Sequence, residues 1–204
     1  MPRLQLPDGP LIAYESAGDG FPLILLPGPQ GIAAWLPHMP LLGELCHAIA
    51  YEPRQPKLAP ECLPAFLDAL RLERVYLASP AASWLSALQF AHHHPKALEA
   101  LLLVDLPGSE AEVTPPDPAL AEHLPRLAPP TLILLAHDAS PARPAADWLP
   151  IRLPHCRTVT MGRPGQDQSG LPKAPHRQFP HLMMRFLLDR ERHRNLVRGA
   201  SFLL

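Results

Sequence analysis

The stretch that decides the fold is DALRLERVYLASPAASWLSALQFAHHHPKALEALLLVDLPG, residues 68–108. Val75–Ala78 is a short apolar run of the kind buried inside a sheet, and residues 83–93 carry apolar side chains at helical spacing. Leu101–Val104 is a second apolar run, ending at Asp105. Strand, helix and strand in that order make a crossover unit, with parallel strands and the helix laid over one face of the sheet. Between the first strand and the helix stand Ser79-Pro80-Ala81-Ala82-Ser83. Side chains this small let the backbone turn sharply.

Upstream, ECLPAFLDALRL (61–72) reads as an amphipathic helix with Pro64 in its first turn, where a missing N–H is tolerated. His47–Tyr51 reads as a short strand. Residues 32–45 place Ile32, Trp35, Leu36, Met39, Leu42 and Leu45 at helical spacing. Residues 21–26, FPLILL, form a continuous apolar run ending at Pro27-Gly28, which suits a strand covered on both faces. Residues 3–7 and 11–17 read as two strands around an Asp8–Gly9 turn. Downstream, the Pro-rich segment 106–130 reads as a loop with one short helix near 119–127. Thr131–Leu135 and Thr158–Met161 then read as strands and 176–192 as the last helix, with a basic, then apolar tail from Arg190 that either docks on the chain's own core or a partner subunit or simply extends the helix. The expected class is α/β: a mostly parallel twisted sheet of about eight strands with helices on both faces. One domain spanning residues 1–204 is expected.

Composition narrows the functions. With 18 Lys+Arg against 19 Asp+Glu, the chain lacks the clustered positive charge that phosphate contacts require, so nucleic acid is not an expected partner. The three cysteines, Cys46, Cys62 and Cys156, form no Cys-x-x-Cys pattern and read as small hydrophobes in a reducing compartment. The opening MPRLQLPDGPLIAYE has no signal-peptide apolar core, and no apolar run reaches the ~18 residues of a membrane span. A cytoplasmic protein with no membrane partner is expected. The 29 prolines, in a chain that is 47% hydrophobic, indicate short rigid loops rather than disorder.

The order of these segments resembles the α/β-hydrolase family. PDGPLIAYESAGDGFPLILLPG (7–28) resembles the family's opening strands and the strand leading to its oxyanion loop. Residues 68–108 resemble its helix, nucleophile strand, elbow, helix and following strand. PTLILLAHD (130–138) resembles the strand before its acid loop. The resemblance covers nearly the whole chain. With only PRQPKLAP between Glu52 and Glu61, and a short segment after Asp105, it implies a compact member without a cap domain or water-excluding lid.

Carried over residue by residue, the catalytic pattern fails. The family's elbow is G-x-S-x-G, with the nucleophile at its centre. Here the centre is Ala81, whose methyl group has no lone pair to attack a carbonyl. Ser79, closing the strand, and Ser83, a good N-cap residue, are the fallback nucleophiles. Trp84 follows where the family often has glycine. The oxyanion loop corresponds to Pro27-Gly28-Pro29-Gln30-Gly31, and Pro29 has no N–H to donate. Losing one such donor typically costs about two to three decades of rate. Ala82 keeps the second amide, and Gln30 offers a side-chain amide. The acid position falls on Ala139, with Asp138 one residue early and Asp105 as the alternative; both also suit turn carboxylates. The loop that should hold the base, MGRPGQDQSGLPKAP (161–175), contains no His, and Gln168 stands there instead. Gln cannot act as a general base near neutral pH. His176 and His181 in the following helix read as surface or packing residues.

His92-His93-His94 are consecutive, so their side chains diverge by about 100° around a helix. They read as a solvated helix end whose charge suits the C-terminus, and a metal would need His123 or His155 as well. GPQG at 28–31 lacks the Lys and Ser/Thr of a phosphate-binding loop. No metal and no cofactor are expected. Three readings follow. The first is a protein without hydrolase activity that binds a small ligand or a protein partner through Gly28, Pro29, Gln30 and Ala82. The second is an active serine hydrolase using Ser79 or Ser83 with Asp138. The third is a structural or regulatory subunit, such as a homodimer, that pairs through its tail or an exposed helix.

Overall fold

Eight strands form one open sheet in the order β1-β2-β4-β3-β5-β6-β7-β8. The computed structural model describes residues 2–7, 9–28, 31–53, 59–104, 118–135, 149–160 and 178–201. The strands are β1 (Arg3–Gln5), β2 (Leu11–Ala17), β3 (Phe21–Leu25), β4 (Cys46–Pro53), β5 (Val75–Pro80), β6 (Leu98–Val104), β7 (Thr131–Leu135) and β8 (Cys156–Thr160). The helices are α1 (Met39–Leu42), α2 (Ala59–Ala69), α3 (Trp84–His93), α4 (Pro118–His123) and α5 (Gln178–Ser201), and residues 149–152 are also helical. β1 and β2 pair antiparallel, as do β2 and β4, and every other pairing is parallel.

The apolar runs are continuous because both faces of the sheet are covered. Ile24 and Leu26 point to the same side as Leu101 and Leu103, where Leu63, Phe66 and Leu67 of α2 and Leu88 and Phe90 of α3 pack. Leu23 and Leu25 point to the other side, against Met39 and Leu42 of α1 and Met183 and Leu187 of α5. At the first face Phe66 stacks on Tyr51, ring centres 4.9 Å apart, and meets Tyr14 edge-on at 5.9 Å.

Four local expectations need correction. Of residues 32–45, only Met39–Leu42 is α-helical, and 32–38 form successive turns. Pro37 and Pro40 lack the N–H a continuous helix needs, and Pro40 is tolerated only because it opens α1. The apolar spacing served packing instead, since Ile32, Trp35, Met39 and Leu42 are all buried. Second, α2 begins at Ala59, so Pro64 lies inside the helix rather than in its first turn. Third, α2 stops at Ala69, where Arg71 adopts a left-handed φ of 57° that turns the chain out of the helix. Fourth, the last helix does not end at 192; α5 continues through Ser201, so of the two readings of the tail the helical extension holds. A hydrogen bond from the Tyr76 hydroxyl to Glu191 Oε1 (2.7 Å) ties this helix to β5.

Cys46 and Cys62 are buried, Cys156 is half-buried, and no disulfide joins any of the three. No helix among the described residues is long and apolar enough to cross a membrane. Phe66 is fully buried. Phe66→Ala is expected to lower stability by about 3–5 kcal/mol, through lost burial and the cavity left between Tyr14 and Tyr51. Urea denaturation of the two proteins measures this.

Candidate functional site

Leu25 pairs with Ala50 of β4 on one side and with Ala78 of β5 on the other. The chain leaving β3 runs to α1 on one face of the sheet, and the chain leaving β5 runs to α3 on the opposite face. Neighbouring parallel strands whose exits diverge leave a crevice at their carboxyl ends, where α/β sheets bind ligands. Of the catalytic and binding positions expected from the sequence, those that the structure describes, Gly28, Ser79, Ala81, Ala82 and Ser83, belong to these two exits.

β5 stays paired with β6 through Ser79↔Leu103 and Pro80↔Val104. A 3-10 turn, Ala81–Ser83, follows at once and leads into α3. Ala81 is therefore the first residue beyond the strand, at the bend itself. Ala82 is exposed in the same turn. Ser79 is fully buried, and its hydroxyl donates to the Pro80 carbonyl at 3.0 Å. Ser83 holds the N-cap position of α3, yet its side chain makes no capping bond. Its hydroxyl instead donates to the Pro27 carbonyl at 2.6 Å, across the crevice. A cap bond would be accepted by the hydroxyl oxygen rather than donated by its proton, so the side chain is turned toward Pro27 and away from the helix N–H groups.

That loop is held from three sides. The Leu26 N–H donates to Ala78 O at 2.8 Å, which continues the β3–β5 pairing one residue further. The Trp35 indole N–H donates to the Leu26 carbonyl at 2.7 Å in a fully enclosed setting. Gly28 and Gly31 then exchange backbone bonds of 3.0 and 2.9 Å, which closes a tight turn. Gly31 has φ +62°, and a Cβ there would collide with the Glu52 carboxylate. Gly28 faces the Pro80 ring, with just ordinary contact distance for a Cβ (3.4 Å). Sequence reasoning missed Glu52, a half-exposed carboxylate at the end of β4 that lies over the turn. The available signal was its place at the carboxyl end of a parallel strand beside β3.

The arrangement offers the amino-terminal end of α3, which favours negative charge, beside a rigid glycine turn. The bend carries no hydroxyl, because residue 81 is alanine. Pro29, Gln30, Asp105, Asp138 and Gln168 lie outside the described residues.

The histidines lie at the far end of α3. His123, on α4, brings its ring to 4.4 Å from that of His92, centre to centre, and His93 stands 4.8 Å from His92. His93 Nδ1 is 2.8 Å from the Gln89 carbonyl, and His94 stacks on Phe90 at 5.0 Å. Desolvation, then the nearby His123 and His93, push the His92 pKa below its ordinary value. His93 and His94 are exposed, as expected of a solvated helix end, while His92 and His123 are half-buried. Among the described residues, however, no group of three or more His, Cys, Asp or Glu is already arranged to hold a metal ion.

No family model and no curated protein sequence matches the chain. Solved structures do. A haloalkane dehalogenase loop variant from Bradyrhizobium elkanii superposes with TM-score 0.74 at 14% identity, covering 96% of this chain and 98% of that one. A meta-cleavage product hydrolase from Pseudomonas fluorescens, a serine-to-alanine mutant complexed with acetates, gives TM-score 0.71 at 16% identity, covering 93% and 98%. An enol-lactonase from Burkholderia xenovorans gives 0.65 at 13% identity, covering 93% and 99%. At these identities the likeness is one of fold.

Trp35→Phe keeps the ring but removes the indole N–H, leaving the buried Leu26 carbonyl unpaired. A stability loss of about 1–3 kcal/mol is expected, read from the denaturation midpoint. Because the folded pKa of His92 is lowered, the unfolded chain binds its proton more readily. Its contribution to stability is therefore present above about pH 6.5 and is lost as pH falls through the folded pKa. His92→Gln should flatten that acid limb in melts run between about pH 8 and 5.

Proposed function

Taking as premise that this chain has the α/β-hydrolase fold, we propose that it is without hydrolase activity and binds a small ligand or a protein partner in the crevice between β3 and β5. One observation carries the reading: alanine occupies the first position beyond β5, at the bend into α3. A methyl group cannot form the covalent intermediate on which this architecture's chemistry depends. The hydroxyls on either side do not replace it. Ser79 is fully buried, and both Ser79 and Ser83 commit their protons to backbone carbonyls rather than to a base. What is left suits binding: the amino-terminal end of α3 with the Ala82 amide, next to the braced Gly28–Gly31 turn. One structural neighbour, a serine-to-alanine mutant, is complexed with acetates, so small carboxylates are the first ligand class to try.

The competing reading is an active serine hydrolase with Ser79 or Ser83 as nucleophile and Asp138 as acid. It is favoured by the solved structures of similar fold, which include hydrolases and a lactonase. A fold by itself says little about chemistry, so the two readings are separated at the bench. The full chain is expected to take up no fluorophosphonate and to turn over no p-nitrophenyl ester above buffer. Stoichiometric labelling at Ser79 or Ser83 would restore the enzyme. In a thermal-shift series with small carboxylates, a saturable rise in Tm is expected. Ala82→Pro removes one amide donor at a position where proline fits a helix start, and should weaken that ligand about tenfold or more.

A further inference from the structure

We propose that His92 and His123 form a two-imidazole clamp for a divalent transition-metal ion of the zinc, nickel or copper class, bridging α3 and α4. The pair comes from two elements far apart in sequence, so the folded chain alone creates it. With metal–nitrogen bonds of about 2.0–2.1 Å, two imidazoles sharing one ion place their ring centres roughly 4.5–5.5 Å apart. The observed 4.4 Å between His92 and His123 is within a few tenths of an ångström of that range. Both rings are only half-buried, so small side-chain rotations can bring a nitrogen of each onto one ion. Each imidazole has two nitrogens, and one can keep another hydrogen bond while the other ligates.

A metal binds the neutral imidazole through the ring nitrogen that carries no proton. His93 adds a third imidazole 4.8 Å from His92. The Gln89 carbonyl can only accept, so His93 Nδ1 carries the hydrogen and Nε2 of the neutral ring keeps its lone pair. As placed, the three rings do not make a ready cage, so the clamp is two protein ligands with water completing the shell. Imidazole suits zinc, copper and nickel and is a poor match for magnesium or calcium. The clamp is independent of the crevice, since α3 spans ten residues, about 15 Å, between Ser83 and the histidines.

The test uses the full chain without an affinity tag, titrated calorimetrically with Zn2+ and with Cu2+. Uptake of one ion per chain is expected, with a rise in Tm on loading and nitrogen hyperfine structure in the Cu2+ electron paramagnetic resonance spectrum. His92→Gln and His123→Gln should each weaken uptake at least about tenfold, while His181→Gln, an exposed residue of α5, should leave it unchanged. Metal-free melts and circular dichroism establish that each variant is folded. No uptake by the parent chain, or uptake by both histidine variants as strong as the parent's, overturns the proposal, and so does a Cu2+ spectrum with sulfur ligation from a cysteine.

Discussion

The side-by-side pairing of β3 and β5 is the constraint from which the rest of the molecule follows. Leu23, Ile24 and Leu25 lie in register with Tyr76, Leu77 and Ala78, and all six are fully buried. Two strands that bury both faces require helices above and below, which α2 and α3 supply on one side and α1 and α5 on the other. The same pairing brings two chain exits together and sends them to opposite faces. The crevice between them is thus a consequence of the core and not an addition to it.

The two exits are also tied to each other. Trp35 grips the last strand carbonyl of one, Ser83 reaches from the other to the Pro27 carbonyl, and the Gly28–Gly31 exchange closes the turn. Polar groups at a strand end would otherwise be left to water or unpaired, at a cost comparable to a lost hydrogen bond. Here they brace the two exits against each other. A partly positive helix start beside a braced loop is a geometry that favours negative charge.

Much of this was legible from residue patterns. The apolar runs at 21–26, 75–78, 101–104 and 131–135 each became a buried strand, because alternating contacts on two covered faces demand continuous hydrophobicity. The alanine at the bend was equally readable, since small residues between a strand and an amphipathic helix allow only a tight turn there. Less was legible where proline and apolar spacing disagreed. Ile32, Trp35, Met39 and Leu42 are spaced for a helix and buried as one, yet Pro37 and Pro40 leave only four helical residues. Ser83 looked like a cap, and capping preference is a local rule; the tertiary structure instead turns its hydroxyl toward the Pro27 carbonyl.

By itself the sequence determined the alternation of strands and helices, the covered sheet and the absence of a hydroxyl at residue 81, because periodicity and side-chain chemistry are local properties. Only the tertiary structure decided that Ser83 braces Pro27, that Glu52 lies over Gly31, and that His123 meets His92. Each of those pairs joins residues many positions apart. Their meeting depends on strand order and on which face each helix covers, and no local pattern encodes either.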